Sequence, residues 1–170
     1  SSGYGLLMDK LADLRDEGKT IDEVYAWAEE HKKEVQHWFF TSDLTFFIKG
    51  GRVSKAAGFI GGVMNICPLL NVDFEGKLIP RQKVRTKKKV MKTIVDRMEE
   101  LATDGADYSG KCYISQSACM EDAQAVADLV EKRFPKMDGK VEINPIGTTI
   151  GSHTGPGTVA LFFWGKERVN

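Results

Sequence analysis

The chain is 170 residues long, and its 24 lysine and arginine residues balance 24 acidic residues. A chain of this length forms one domain by default and can bury a core without disulfides or metals. The zero net charge argues against nucleic acid as the main partner, because phosphate binding requires a surplus of basic residues. The sequence holds neither an apolar run of membrane-spanning length nor a signal peptide, and its three cysteines lack metal-ligand spacing. We therefore expect a cytoplasmic protein with reduced thiols and no stable membrane insertion.

The first residues of the chain are predicted to be helical. Apolar side chains recur at helical spacing over residues 3–17, and Thr20 with Glu23 forms a capping box for a second helix that ends near His31. The first helix is expected to bury one face, formed by Tyr4, Leu7, Leu11 and Leu14. Because the chain is within this helix from its start, it resembles a fragment that begins inside a longer protein, although a cloning remnant would also leave the opening SSG.

The remainder of the chain alternates between strand and helix patterns. Apolar or alternating runs predict six strands, at residues 35–41, 66–72, 78–85, 111–115, 140–144 and 158–164. Amphipathic or capped segments predict four helices among them, at residues 43–49, 54–64, 87–102 and 121–134. This order predicts an α/β (α+β) domain of two layers, with one mixed β-sheet of about six strands and helices mainly on one face.

A histidine among turn residues is the strongest indication of a site. Residues 151–157 read GSHTGPG and open directly into the apolar run at 158–164. Glycines allow positive φ and a close approach of backbone to a ligand, and proline fixes the exit angle of the chain. We therefore predict that His153, presented on a tight turn, and the adjacent Thr154 bind a ligand. The alternative is a histidine with a purely structural role.

A second candidate segment, residues 50–54, joins two predicted helices. Backbone N–H groups at Gly51 and at the start of the helix that Ser54 opens would attract an anion. Arg52 could bind a carboxylate or phosphate with two parallel hydrogen bonds. A glycine pair that ends one helix, followed by an exposed arginine, explains the same residues equally well.

Two further segments allow both a functional and a structural interpretation. Residues 83–89 read KVRTKKK at a junction between a predicted strand and a predicted helix. Residues 87–89 are typical of a solvated helix face, but cations in a first helical turn are unfavourable and hint at an acidic partner or a phosphate. Residues 58–64 are apolar around the whole helix circumference, which fits either a buried core helix or the wall of an apolar pocket. The candidate wall residues are Phe59, Ile60 and Met64.

The sequence contains no motif typical of a catalytic centre. It has no Ser-His-Asp signature, phosphate-binding loop, metal cluster or paired-carboxylate motif, and nothing in the sequence converges on His31 or His37. A single polar segment around His153, together with many apolar residues, is typical of a site that binds an amphipathic molecule.

Taken in chain order, these motifs resemble those of the DegV family. The resemblance is carried by residues 42–54 (SDLTFFIKGGRVS), 65–70 (NICPLL), 75–77 (EGK), 83–85 (KVR) and 151–157 (GSHTGPG). Proteins of that family have two α/β domains and about twice this length. The resemblance therefore implies that residues 1–34 link from an absent N-terminal domain and that residues 35–170 form the C-terminal domain.

The resemblance also implies a function. Several DegV-like proteins are the fatty-acid-binding subunits of bacterial fatty acid kinase, and they carry the acid to a separate kinase subunit that makes acyl phosphate for phospholipid synthesis. By resemblance, His153 lies near the acid's head group, Arg52 matches an arginine of the family's Gly-Gly-Arg motif, and Arg85 contacts the kinase. The hydroxyl residues that hold the carboxylate in the family lie in the first domain. We expect a bound fatty acid and no cofactor or metal.

Two other classes of function remain open from the sequence. In the first, the protein is a hydrolase or transferase of acyl substrates that uses His153 as a general base, although no serine or cysteine lies in a nucleophile-elbow context. In the second, the chain is a structural or dimerising domain.

Overall fold

The computed structural model of the chain describes residues 1–53 and 66–170. Six strands belong to one sheet: β1 (Val35–Phe40), β2 (Ile66–Val72), β3 (Leu78–Arg85), β4 (Tyr113–Ser117), β5 (Glu142–Pro145) and β6 (Thr158–Trp164). The described residues also form six α-helices: α1 (Ser2–Asp16), α2 (Ile21–His31), α3 (Thr45–Lys49), α4 (Lys87–Leu101), α5 (Met120–Arg133) and α6 (Thr148–Thr154). The helix predicted at residues 54–64 lies outside the described residues. Among the described helices, none is both long and apolar enough to cross a membrane.

The predicted mixed six-strand sheet is confirmed, with the strand order β3–β2–β1–β6–β4–β5. The pair β4–β5 is parallel, and the other neighbouring strands are antiparallel. Pro68 lies in the part of β2 that pairs with β3 and beyond the part that pairs with β1, so its missing N–H leaves the centre of the sheet intact. The register places the end of β1, the end of β3 and the start of β6 at one end of the sheet, which we call the α6 end.

One face of the sheet, the helix-covered face, packs against α4 and α5. Trp38 and Phe40 of β1 and Leu161 and Phe163 of β6 point into this core. The helices contribute Val90, Ile94, Val95, Met98, Ala123, Val126, Ala127 and Val130. Val90, Ile94 and Met98 are fully buried, and Leu101, at the end of the same apolar spacing, is partly buried. Burial of these apolar side chains is the main stabilising contribution to the fold.

The other face, the cavity face, carries a smaller apolar cluster. Leu6 of α1 and Phe47 of α3 pack against the sheet, where Phe39 stacks on Phe47 with ring centroids 5.7 Å apart. Among the described residues, helices therefore pack on both faces of the sheet. The prediction that Tyr4 belongs to the buried face of α1 is wrong, because Tyr4 is 66% exposed. The helix lies so close to the sheet that Gly3 occupies the point of contact, and Tyr4 is turned outward.

The capping predictions hold for α2 and α4, whereas the predicted cap at Ser42 is wrong, because α3 begins at Thr45 after Leu44 and has no side-chain cap. Thr20 and Glu23 exchange the two hydrogen bonds of a capping box at the start of α2. Thr86 precedes α4, and its hydroxyl accepts a hydrogen bond from the Lys89 N–H at 3.4 Å. Thr86 connects the end of β3 to the first turn of α4, and its φ of 72° is unusual for a residue other than glycine.

Candidate ligand-binding site

A cavity of about 640 Å³ lies on the cavity face of the sheet. Its apolar wall is formed by Phe39, Phe47, Val72, Leu78, Ala160 and Phe162. The segment that runs from the end of β5 through α6 also lines the cavity and contributes Thr148, Thr149 and Thr154, together with the apolar Ile146 and Ile150. The volume falls within the range of about 300–1,000 Å³ that is usual for small-molecule pockets. Most of the wall is apolar and the polar groups are gathered in a few places, which suits an amphipathic ligand.

Helices α3 and α6 meet at the α6 end of the sheet and position His153. A Cβ atom built on Gly50 would lie 2.6 Å from His153 Nδ1 and 3.0 Å from the Phe46 carbonyl oxygen. Glycine at position 50 is therefore required for the imidazole to lie where it does. Gly155, with a φ of 71°, makes a similarly close approach to the Phe46 ring just after α6 ends. Contacts between the two glycine-containing segments thus fix the position of His153.

The two candidate segments of the sequence do come together, since Gly50 is in contact with His153. They meet at the ends of the central strands β1 and β6, away from the outer strands of the sheet. Gly51 and Arg52 are exposed, and Arg52 Nη1 donates a hydrogen bond to the Gly50 carbonyl oxygen at 2.6 Å. The side chain of Arg52 therefore folds back over its own segment. The other candidates in this region, Ser54, Phe59, Ile60 and Met64, lie outside the described residues.

The predicted tight turn at His153 is wrong, because His153 lies in the last turn of α6. The Gly151 N–H donates to the Gly147 carbonyl oxygen and the Gly155 N–H to that of Gly151, each at 2.8 Å, so the helix continues through the predicted turn. The chain leaves the helix only at Gly155, whose positive φ is readily adopted by glycine. A glycine-rich sequence does not exclude a short helix when its ends are held by tertiary contacts.

Thr154 lines the cavity, and its hydroxyl is buried without a hydrogen-bond partner among the described residues. Its carbonyl oxygen accepts a hydrogen bond from Thr158 Oγ1 at 3.0 Å, which ties the end of α6 to the start of β6. A buried hydroxyl without a partner is costly, so a rotation of the side chain that let the hydroxyl bond a ligand oxygen would be favourable. Thr154 is thus the member of the predicted pair that faces the cavity, while the half-buried imidazole of His153 packs beside Gly50.

His37 is one of several cavity residues that the sequence interpretation missed. It lies on β1, lines the cavity and makes an edge-to-face contact with Phe162, with ring centroids 5.2 Å apart. Burial, helped by the charge of Arg168, lowers the pKa of His37 to about 3, so the imidazole is neutral at pH 7. The available signal was the alternation of β1, which places position 37 on the same face as Val35 and Phe39.

The basic segment that follows β3 is mostly solvated. Arg85 is exposed at the α6 end of the sheet, and Lys88 and Lys89 are exposed in the first turn of α4. Lys87 forms an ion pair with Asp122 of α5, with a distance of 2.7 Å between Nζ and Oδ2. This pair gives Lys87 a structural role and leaves the neighbouring cations exposed. Within the described ranges, no three histidine, cysteine or acidic side chains lie close enough to hold a metal ion.

The chain thus forms an α/β domain with an open mixed sheet and an apolar cavity on one face, of the size that small-molecule pockets have. The sequence profile described as "uncharacterised protein, DegV family" matches residues 1–166, and the chain belongs to the DegV family.

Known relatives extend this result. The chain is 37% identical over 166 residues to a DegV domain-containing protein of Clostridium perfringens, covering 98% of this chain and 56% of the relative. It superimposes with a TM-score of 0.83 on a fatty-acid-binding DegV family protein of Thermus thermophilus, at 25% identity, covering 98% of this chain and 58% of that one. The fold also matches that of the Streptococcus pneumoniae fatty acid kinase (Fak) B3 protein loaded with linoleic acid, with a TM-score of 0.80, 24% identity and coverage of 95% and 55%. The chain thus spans about half the length of the relatives it matches.

Proposed function

We propose that the protein binds a long-chain fatty acid in the cavity, with the carboxylate at the α6 end. The observation that carries the proposal is the apolar cavity that ends at the unpartnered Thr154 hydroxyl. The fatty acid binding of the Thermus thermophilus relative supports it. The protein would act as the carrier of the acid and leave the chemistry to a separate kinase, which converts the carboxylate to an acyl phosphate.

The affinity of such a complex would come mostly from the tail of the ligand. Burial contributes about 0.8 kcal/mol per CH₂ group, which is of order 10 kcal/mol for a tail of about sixteen carbons before the costs of binding. The carboxylate contributes orientation, since a buried charge is tolerated only when it is hydrogen-bonded or paired. The hydroxyl groups of Thr148, Thr149 and Thr154 line the cavity, and the His153 imidazole, which packs beside Gly50, is a further donor of the same helix.

Presentation to a kinase requires the head group to lie at an accessible surface. The α6 end of the sheet carries two exposed arginines, Arg52 next to Gly50 and Arg85 at the end of β3. We propose that Arg85 contacts the kinase and that Arg52, beside Gly50, contributes to the mouth of the site. These roles follow the position of both arginines at the end of the sheet where the carboxylate would emerge.

Native mass spectrometry of the gently purified protein tests the binding step. The expected result is a retained mass that corresponds to a fatty acid of fourteen to eighteen carbons, in the size range for which the tail supplies roughly 10 kcal/mol. A protein that stays empty when purified, and again after incubation with palmitic acid, would contradict the proposal.

Two substitutions separate binding from presentation. His153→Ala should reduce kinase-coupled acyl phosphate formation much more than it reduces fatty acid content, because misplacement of a reacting group by about 1 Å costs roughly 100-fold in rate. Arg85→Ala should reduce turnover with normal fatty acid content, because it would weaken kinase docking. If His153→Ala emptied the cavity and Arg85→Ala left turnover unchanged, both role assignments would be wrong.

A further inference from the structure

The His37 imidazole is a polar group in the apolar part of the cavity wall, and the proposed function does not use it. No hydrogen bond joins its ring to another of the described residues, and the ring contacts Phe162 edge to face and lies against Gly3 of α1. A Cβ atom on Gly3 would lie 2.5 Å from His37 Cε1, so α1 holds the ring firmly against the sheet. The imidazole is thus fixed in place with its hydrogen-bonding capacity unused within the described structure.

The charge state of His37 restricts what it can bind. Burial lowers its pKa to about 3, and the nearby charge of Arg168 acts in the same direction. A neutral imidazole has one N–H donor and one acceptor nitrogen, and it gives no ion pair to a carboxylate. An uncharged group that both donates and accepts, such as a hydroxyl, matches it best. A wholly apolar chain would instead cover the ring and leave these nitrogens without a partner, which is unfavourable.

The strand register places His37 at a definite distance from the α6 end. His37 pairs with Phe162, four residues along β6 from Thr158, and the Thr158 hydroxyl is bonded to the end of α6. Four residues of strand span roughly 13 Å. With an advance of roughly 1.3 Å per carbon of an extended chain, this corresponds to about ten carbons. A ligand whose carboxylate lies at Thr154 would therefore bring the middle of its chain to His37.

We infer that His37 makes the cavity selective for fatty acids that carry a hydroxyl group near the middle of the chain, which rests on the fatty acid binding proposed above. His37 would exchange hydrogen bonds with that hydroxyl and would disfavour the unsubstituted acid of the same length. It is a specificity-determining residue, remote from the carboxylate where the kinase would act.

Competition binding tests this selectivity. Stearic, 3-hydroxystearic, 10-hydroxystearic and 12-hydroxystearic acids would each displace a fluorescent fatty acid from the protein and from three variants. His37→Leu removes the polar group at similar volume, and His37→Gln keeps a donor and an acceptor. Ser115→Ala is the matched control, because Ser115 is another polar residue of the same wall whose hydroxyl is already paired with that of Ser2 at 2.6 Å.

The protein should prefer the 10- or 12-hydroxy acid over stearic acid, and His37→Leu should lower that preference by about three- to tenfold, the range for one hydrogen bond. His37→Gln should retain part of the preference, and Ser115→Ala should retain all of it. The 3-hydroxy acid, whose hydroxyl lies beside the carboxylate, should show no dependence on residue 37.

Equal affinities of the protein for stearic and both mid-chain hydroxy acids would overturn the inference while leaving fatty acid binding intact. The same conclusion would follow if His37→Leu kept the full preference. If His37→Leu failed to fold, the comparison of the 3-hydroxy isomer with the mid-chain isomers on the unaltered protein would still decide the matter. Failure of all four acids to bind would instead contradict the proposed function itself.

Discussion

The two faces of the sheet are built on the same strands but differ in what they can accommodate. On the helix-covered face, Phe40, Leu161 and Phe163 are fully buried against α4 and α5. On the cavity face, the alternate positions of the same strands, among them His37 and Phe162, line a cavity of about 640 Å³. Among the described residues, two long helices, α4 and α5, pack on the first face, whereas α1 and α3 pack on the second beside the cavity. One face therefore supplies stability and the other supplies space for a ligand.

The largest expected effect comes from making the same substitution, leucine to alanine, once on each face of the sheet. Leu161→Ala, at a fully buried position of the helix-covered face, should lower the free energy of unfolding by about 2–5 kcal/mol. Leu78→Ala, at a half-buried position of the cavity wall, should cost less than about 1.5 kcal/mol, because that side chain already borders open space. Urea denaturation monitored by circular dichroism measures both. Equal losses would show that the two faces contribute alike.

A second prediction concerns the contact that positions His153. Gly50→Ala would place a methyl group against the imidazole and displace it, so kinase-coupled turnover should fall by roughly 100-fold for a shift of about 1 Å. Stability should change little, because the φ of Gly50 is −74° and suits alanine. Gly147→Ala is the control, since a Cβ there meets nothing within 4 Å. Equal turnover in the two variants would show that kinase-coupled turnover does not depend on the position of His153.

A third prediction uses pH to examine the cavity face. The folded state keeps His37 neutral with a pKa of about 3, whereas the unfolded state binds a proton near the usual value of about 6.5. Stability should therefore decrease as the pH falls from about 6.5 towards 3, by at most about 1.4 kcal/mol per pH unit from this group. His37→Leu should show a shallower decrease. Parallel curves for the two proteins in urea denaturation across this pH range would contradict a neutral buried imidazole.

The smallest expected effect lies on the outside of the helix-covered face. Lys87→Met removes the ion pair with Asp122 that joins α4 to α5, and it should cost about 0.2–1 kcal/mol, because half of the lysine side chain is exposed. Lys88→Met, in the same helical turn, should have no measurable effect on stability. High salt should reduce the difference between the variants. A cost above that range for Lys87→Met would show that this exposed pair acts as a core contact.

The sequence predicted the strands well because their signals are local. The apolar run at β6 and the hairpin of β2 and β3 are set by period and turn chemistry, and the capping box of α2 lies within four residues. The same patterns could not tell which face of β6 would stay open, since Phe162 and Phe163 are equally apolar. That choice depends on which helices pack where, and such contacts join residues far apart in the chain.

The site was predictable only where local sequence patterns marked it. Glycine-rich segments marked the region around Gly50 and His153, and the structure brings them into contact. The helical conformation of α6 and the unpartnered hydroxyl of Thr154 depend on tertiary contacts that no local pattern reports. His37 was set aside because nothing near it in sequence converges on it, whereas its neighbours in space, Gly3 and Phe162, come from distant segments.

The orientation of a bound fatty acid tests the central claim most directly. Palmitic acid labelled with ¹³C at the carbon next to the carboxylate, or at the terminal methyl, would be bound to the protein, and its contacts would be measured by isotope-filtered nuclear Overhauser spectroscopy. The account predicts contacts from the carbon beside the carboxylate to the methyl group of Thr154, with none to the His37 ring. Contacts from that carbon to His37, or a ligand that shows no contact with the cavity face, would contradict it.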